Sequence, residues 1–224
     1  AGFEIDERWL PGIVRAGTDL GPIDPEAARR FGLPPSCRFI VGCLDQYAGA
    51  IGAGNVEPGM ISETTGTVLA TVCCADQFST QLNPAALQGP AFRKELYWRM
   101  AFTETSANYL QWYREQLPER PDFEQLIALA EPIEPGAAGL RLRTDVGLSS
   151  PEKVFDGLTA RHTRGHMVRC ILETVACALG DQVAVLREEK GSGSFCAKHP
   201  EGPFRQNEPD PFSSRFATHP YRVP

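Results

Sequence analysis

Apolar and polar positions alternate between two rhythms along this chain, and the rhythm changes mark its elements. Phe39-Ile40-Val41 reads as a short apolar strand that ends in a single acid, Asp45. A small-residue helix follows through Ala48, Gly49, Ala50, Gly52, Ala53 and Gly54. After a Pro58-Gly59 turn, two short β-branched runs flank Thr65-Gly66, the pattern of a hairpin. Leu96 to Phe102, rich in aromatics, predicts another strand.

Helical spacing then takes over. Thr103 or Thr105 is placed to cap a helix that Pro118 stops, with Ala107, Leu110 and Tyr113 in step. A second helix runs from Pro121 to Ala130 and ends at Pro132. The longest covers about Thr163 to Glu188, and its apolar positions surround it from Cys170 to Leu179, as in a helix buried between layers. Before Arg38 the pattern predicts a strand at Ile13-Val14 and a short helix opening at Asp24-Pro25-Glu26. Residues 75 to 95 read as a polar surface loop, and the stretch from Pro135 to Gly157 as irregular. From Lys190 onward neither rhythm persists, and the proline-rich tail is expected to be disordered.

Composition narrows the class. At 224 residues the chain is long enough to bury a substantial core. A net charge of -6 with no basic stripe argues against nucleic acid and against an anionic membrane surface as partners. No apolar run reaches the ~18 residues of a membrane span, and the first residues lack the charge pattern of a signal peptide. The cysteines are scattered at 37, 43, 73, 74, 170, 177 and 196, mostly within apolar runs, which predicts free thiols in a reducing cytoplasm.

Two features carry candidate chemistry: the acid at the end of a strand, Asp45, and the glycine hairpin at Thr65-Gly66-Thr67. By itself an acid there is a common helix cap, and a Thr-Gly pair a common turn. Their order, however, together with LPGIVRAGTDLG, GLPPSCRFIVGCLDQYAGAIGAGNVEPG, ISETTGTV and VFDGLTARHTRGHMVRCILETVA, resembles the FGGY carbohydrate kinases over residues 10 to 188. The resemblance implies an α/β fold of the ribonuclease H-like, actin-like ATPase kind, present in part and spanning the junction of two domains. Residues 1–56 would close the first domain, 57–189 would open the second, and 190–224 would be a disordered or non-native tail.

It also implies ATP-dependent phosphorylation of a sugar or polyol, pentulose-like, with ATP and Mg2+ as cofactors. Asp45 would be the general base, Gln46 would hold a sugar hydroxyl, and Thr65, Gly66 and Thr67 would meet the nucleotide phosphates. Gly52 and Gly54 would allow close packing behind the site. No metal-ligating residue is implied. The location would be cytoplasmic, and a homodimer is compatible with it.

Some positions depart from the family pattern. Val68 stands where a serine is usual, Lys153 and Cys170 where small residues are usual, and the loop between Gly139 and Pro151 lacks the arginine-bearing sequence of xylulokinases. The first domain's early half and the Gly-rich adenosine motif are not seen, so the chain is expected to be truncated at both ends, with an out-of-frame tail, and to be inactive by itself. A structural or regulatory ATPase fragment of the same fold is the alternative. Other sites are disfavoured. The Gly49, Gly52, Gly54 spacing does not fit a dinucleotide loop, no GxxxxGK[ST] loop is present, and neither His162 with His166 nor Cys196 with His199 has the ligand set of a metal centre.

Overall fold

The computed structural model describes residues 6–9 and 11–187. The expected disorder of the tail from Lys190 lies outside the described residues. The described residues form two compact units. One takes the residues up to Ser62 with Val72–Met100, and the other takes Glu63–Thr71 with those from Ala101 on.

The first unit begins with β1 (Asp19–Pro22), α1 (Pro25–Phe31), β2 (Arg38–Ile40) and α2 (Asp45–Gly52). The Asp24 carboxylate accepts from the Glu26 and Ala27 amides, which starts α1 where the sequence expects it. Gly32 then ends that helix at φ 65°, a left-handed conformation that favours glycine. β1 and β2 pair antiparallel. The extended segment expected at Ile13-Val14 is not a strand, and β1 lies five residues further on. Its burial is slight, because Leu20, Phe39 and Ile40 are all exposed.

Next come β3 (Ile61–Thr65), β4 (Leu69–Ala75), β5 (Leu87–Pro90) and β6 (Tyr97–Thr103), hydrogen-bonded in the order β3-β4-β6-β5. All seven residues of β4 are buried, which explains why it reads as an apolar run broken only by Thr71 rather than as an alternating one. β5 was hidden in the polar stretch because Leu87-Gln88-Gly89-Pro90 has no alternation; its pairing with β6, from Leu87 opposite Met100 to Pro90 opposite Tyr97, supplies the order.

The second unit adds α3 (Asn108–Gln116), α4 (Phe123–Ala130), β7 (Arg141–Leu142), α5 (Pro151–Val154), β8 (Phe155–Asp156) and α6 (Arg164–Leu186). Its core gathers Tyr113, Leu126, Val154, Phe155, Val168 and Ile171. Neither Thr103 nor Thr105 caps α3, whose N-cap is Ala107 without a side-chain bond; Thr103 instead accepts from the Thr105 amide. The stretch expected to be irregular holds two short paired strands, β7 and β8. Before them, Gly136 to Gly139 are four consecutive residues at positive φ, including Ala137 at 46° and Ala138 at 54°.

Cys37, Cys43, Cys73, Cys74 and Cys170 carry free thiols, the last three buried. Cys177, on α6, is disulfide-bonded, so the all-thiol expectation fails at that position.

Candidate functional site

Asp45 is the first residue of α2, five residues beyond the end of β2 at Ile40 rather than at the strand's edge. Its carboxylate is exposed, and Oδ1 accepts the Gln46 amide at 2.8 Å. No other donor or cation meets it among the described residues. Gln46 beside it is partly buried.

What fixes α2 is a set of contacts that the sequence pattern did not reveal. Tyr47 stacks on Trp98 with ring centroids 5.7 Å apart, and Ala50 is buried against the same cluster. Phe92 also packs on Trp98, with ring centroids 5.7 Å apart. Burial there pushes the Tyr47 phenol above its ordinary value. At the far end of α2, Gly54 turns the chain at φ 81°, and the next residue, Asn55, is buried. The Asn55 Nδ2 donates to Val72 O at 2.9 Å and to Ser62 Oγ at 3.0 Å. Its Oδ1 has no partner among the described residues, a cost that the two donated bonds offset. The only sequence signal for Asn55 is a polar residue directly after a run of small ones.

Close packing at Gly52 is not observed. Nothing lies within 4 Å of where its Cβ would be, and the same holds at Gly54, where the left-handed backbone alone calls for glycine. Trp98, Trp112 and Tyr113 are all buried.

Thr65, Gly66 and Thr67 lie in the other unit, at the exposed tip between β3 and β4. The tip is open: no atom lies within 4 Å of a Cβ built on Gly66. The Thr65 hydroxyl donates to the Glu63 carboxylate, so it must rotate before it can serve an anion. The Gly66 amide donates to Val68 O at 3.2 Å. Thr67 is exposed and its hydroxyl makes no hydrogen bond among the described residues. The Gly66 carbonyl accepts from Ser106 Oγ at 2.7 Å. Below the tip, Gln182 of α6 donates through Nε2 to Leu69 O at 3.2 Å and accepts from the Thr71 hydroxyl at 2.5 Å. Ser106, Thr71 and Gln182 are buried, and none stood out in the sequence. Asp45 with Gln46 and the hairpin thus fall in different units, each with its own internal supports.

His162 and His166 are a different matter. Their rings are 5.6 Å apart, yet each Nδ1 serves as a backbone acceptor, from Thr159 N and Thr163 N respectively. They cap the approach to α6. Among the described residues no group of three His, Cys, Asp or Glu side chains could hold a metal ion.

No protein-family model matches the chain. Among curated proteins it is similar to a xylulose kinase of Lactococcus lactis, 28% identical over 198 residues, covering 84% of this chain and 39% of that protein. It is also similar to an L-fuculokinase of Salmonella typhi, 30% identical over 193 residues, covering 82% and 39%. A solved xylulose kinase from Rhodospirillum rubrum superposes with a TM-score of 0.67 at 28% identity, over 81% of this chain and 38% of that one. The chain thus spans about 39% of the length of these two curated relatives.

Proposed function

The chain is a homologue of the FGGY carbohydrate kinases and shares part of their actin-like, ribonuclease H-like fold; on that footing we propose that it serves ATP-dependent phosphorylation of a sugar or polyol, pentulose-like, with Asp45 as general base. The observation that carries the proposal is an exposed carboxylate, braced by α2 on Trp98, in a chain similar to xylulose kinases over four-fifths of its length.

In this reading a substrate hydroxyl attacks the γ-phosphorus of ATP. Its O–H bond breaks, the proton passes to the Asp45 carboxylate, and the bond from phosphorus to the ADP oxygen opens. A positioned base contributes about 10²–10⁴-fold to such a step. Gln46, next to it and half in the open, holds a second hydroxyl of the sugar. Thr67, with a free hydroxyl, and Gly66, with no side chain to bar approach, meet the phosphates.

Mg2+ would be held chiefly by the nucleotide phosphates and water. It would neutralise phosphate charge. The substrate and ATP are the partners expected, a cytoplasmic setting supplies both, and a homodimer is compatible with the proposal. No described helix is long and apolar enough to cross a membrane.

The 224-residue polypeptide on its own is proposed to lack turnover, which its share of the relatives' length supports. Two measurements test these statements. Xylulose should shift the Asp45 and Gln46 amide resonances, and an unchanged spectrum at saturating sugar would sink the sugar-site reading. ADP release with ATP and xylulose should stay at background. Turnover that Asp45→Asn abolishes would overturn the inactivity and support the base; turnover that survives Asp45→Asn would remove Asp45 from the role.

A further inference from the structure

The hairpin tip from Thr65 to Val68 is exposed at every residue, so its position depends on what holds it from beneath. The base of β4 is already anchored. Gln182 takes hold of Leu69 O and the Thr71 hydroxyl from α6, and both β4 residues are buried. Beyond Leu69 the backbone leaves that anchor, and the short Gly66 N to Val68 O bond only closes the turn on itself.

One side chain reaches the tip from elsewhere in the same unit. Ser106, fully buried between β6 and α3, directs its hydroxyl at the Gly66 carbonyl at 2.7 Å. Its own amide accepts no freedom to wander, because it donates to Asn108 Oδ1 at 3.2 Å. A buried hydroxyl with a fixed backbone is a rigid donor, and the bond it makes spans 40 residues of sequence. It ties Gly66 O inward. In the trans peptide that follows, the Thr67 N–H points opposite to the Gly66 carbonyl and so away from Ser106, where an anion would arrive.

We infer that Ser106 is a positioning residue for phosphate binding, holding the Thr65–Thr67 tip in the shape that receives the polyphosphate of a nucleotide. The inference rests on the reading of the hairpin as the phosphate contact. Ser106 does not touch the ligand. It acts through Gly66, and it sets how much of the tip's ordering must be supplied by the ligand itself. Loss of one such bond weakens binding by about tenfold.

The test uses the 224-residue chain, labelled with ¹⁵N, and inorganic tripolyphosphate as the probe, which needs no adenosine pocket. In the wild type the probe should shift the Gly66, Thr67 and Val68 amides and give a dissociation constant. Ser106→Ala should raise that constant about tenfold and speed hydrogen exchange at the tip, with α6 amide protection unchanged. An unchanged constant in Ser106→Ala overturns the inference and leaves the hairpin reading standing. Tip amides that do not respond to the probe in the wild type overturn the hairpin reading, and the inference with it. Protection lost in α6 along with binding also overturns the inference, since Ser106 would then be a general support of the core.

Discussion

At the scale of single residues, the left-handed run from Gly136 to Gly139 is the clearest departure from ordinary backbone. Ala138 holds φ 54° with its side chain exposed, while its carbonyl accepts from Arg161 and lies 3.3 Å from His162 Nε2. An alanine in this region costs about 1–2 kcal/mol relative to its preferred conformations. Ala138→Gly should therefore stabilise the protein by about 1 kcal/mol, read as a higher midpoint in urea unfolding. Ala137 will not behave the same way, because its methyl is fully buried and its loss offsets the relief. The run is held from α6, where both Glu173 oxygens accept the Gly136 amide at 3.0 Å and Arg169 holds the same carboxylate.

At the scale of elements, α4 and α6 approach more closely than any side chain would allow. A Cβ on Gly165 would fall on the Leu129 carbonyl and press on Ile133. Gly165→Ala gains helix propensity of about 1 kcal/mol, but the clash is with backbone that cannot rotate away. A net loss of about 1–3 kcal/mol is expected in thermal or urea unfolding. Trp98, packed against Tyr47 and Phe92, should cost about 3–5 kcal/mol on change to Ala, and α2 amides should then lose exchange protection before those of α6.

Element type and order were largely legible in the sequence. α1, α2, α4 and α6 show their periodicity or caps locally, and the buried β4 declares itself by an apolar run broken only by Thr71. What was hidden depends on partners distant in sequence. β5 is a strand only because β6 lies beside it, Gly165 is required only because Leu129 approaches, and Ser106 and Gln182 are ordinary polar residues until the chain folds around them. For the candidate site, Asp45 and the hairpin could be picked out from motif order, whereas the residues that brace them could not.

For the molecule as a whole, two acid groups buried in the second unit contribute to its behaviour in alkali. Burial pushes both the Cys170 thiol and the Tyr113 phenol up to about 12, from ordinary values of 9.0 and 10.0. A raised value in the folded state means the unfolded chain gives up its proton first. The associated stability is complete below about pH 9 and is lost as pH rises toward 12. Urea midpoints should fall across that window, and a flat profile would contradict the burial of these groups. Cys43 has the opposite character: its thiol is free and exposed two residues before Asp45. That makes it a native attachment point for a thiol-reactive fluorophore, so the arrival of a sugar at the start of α2 can be followed as a change in light emission, with no cysteine engineered into the chain.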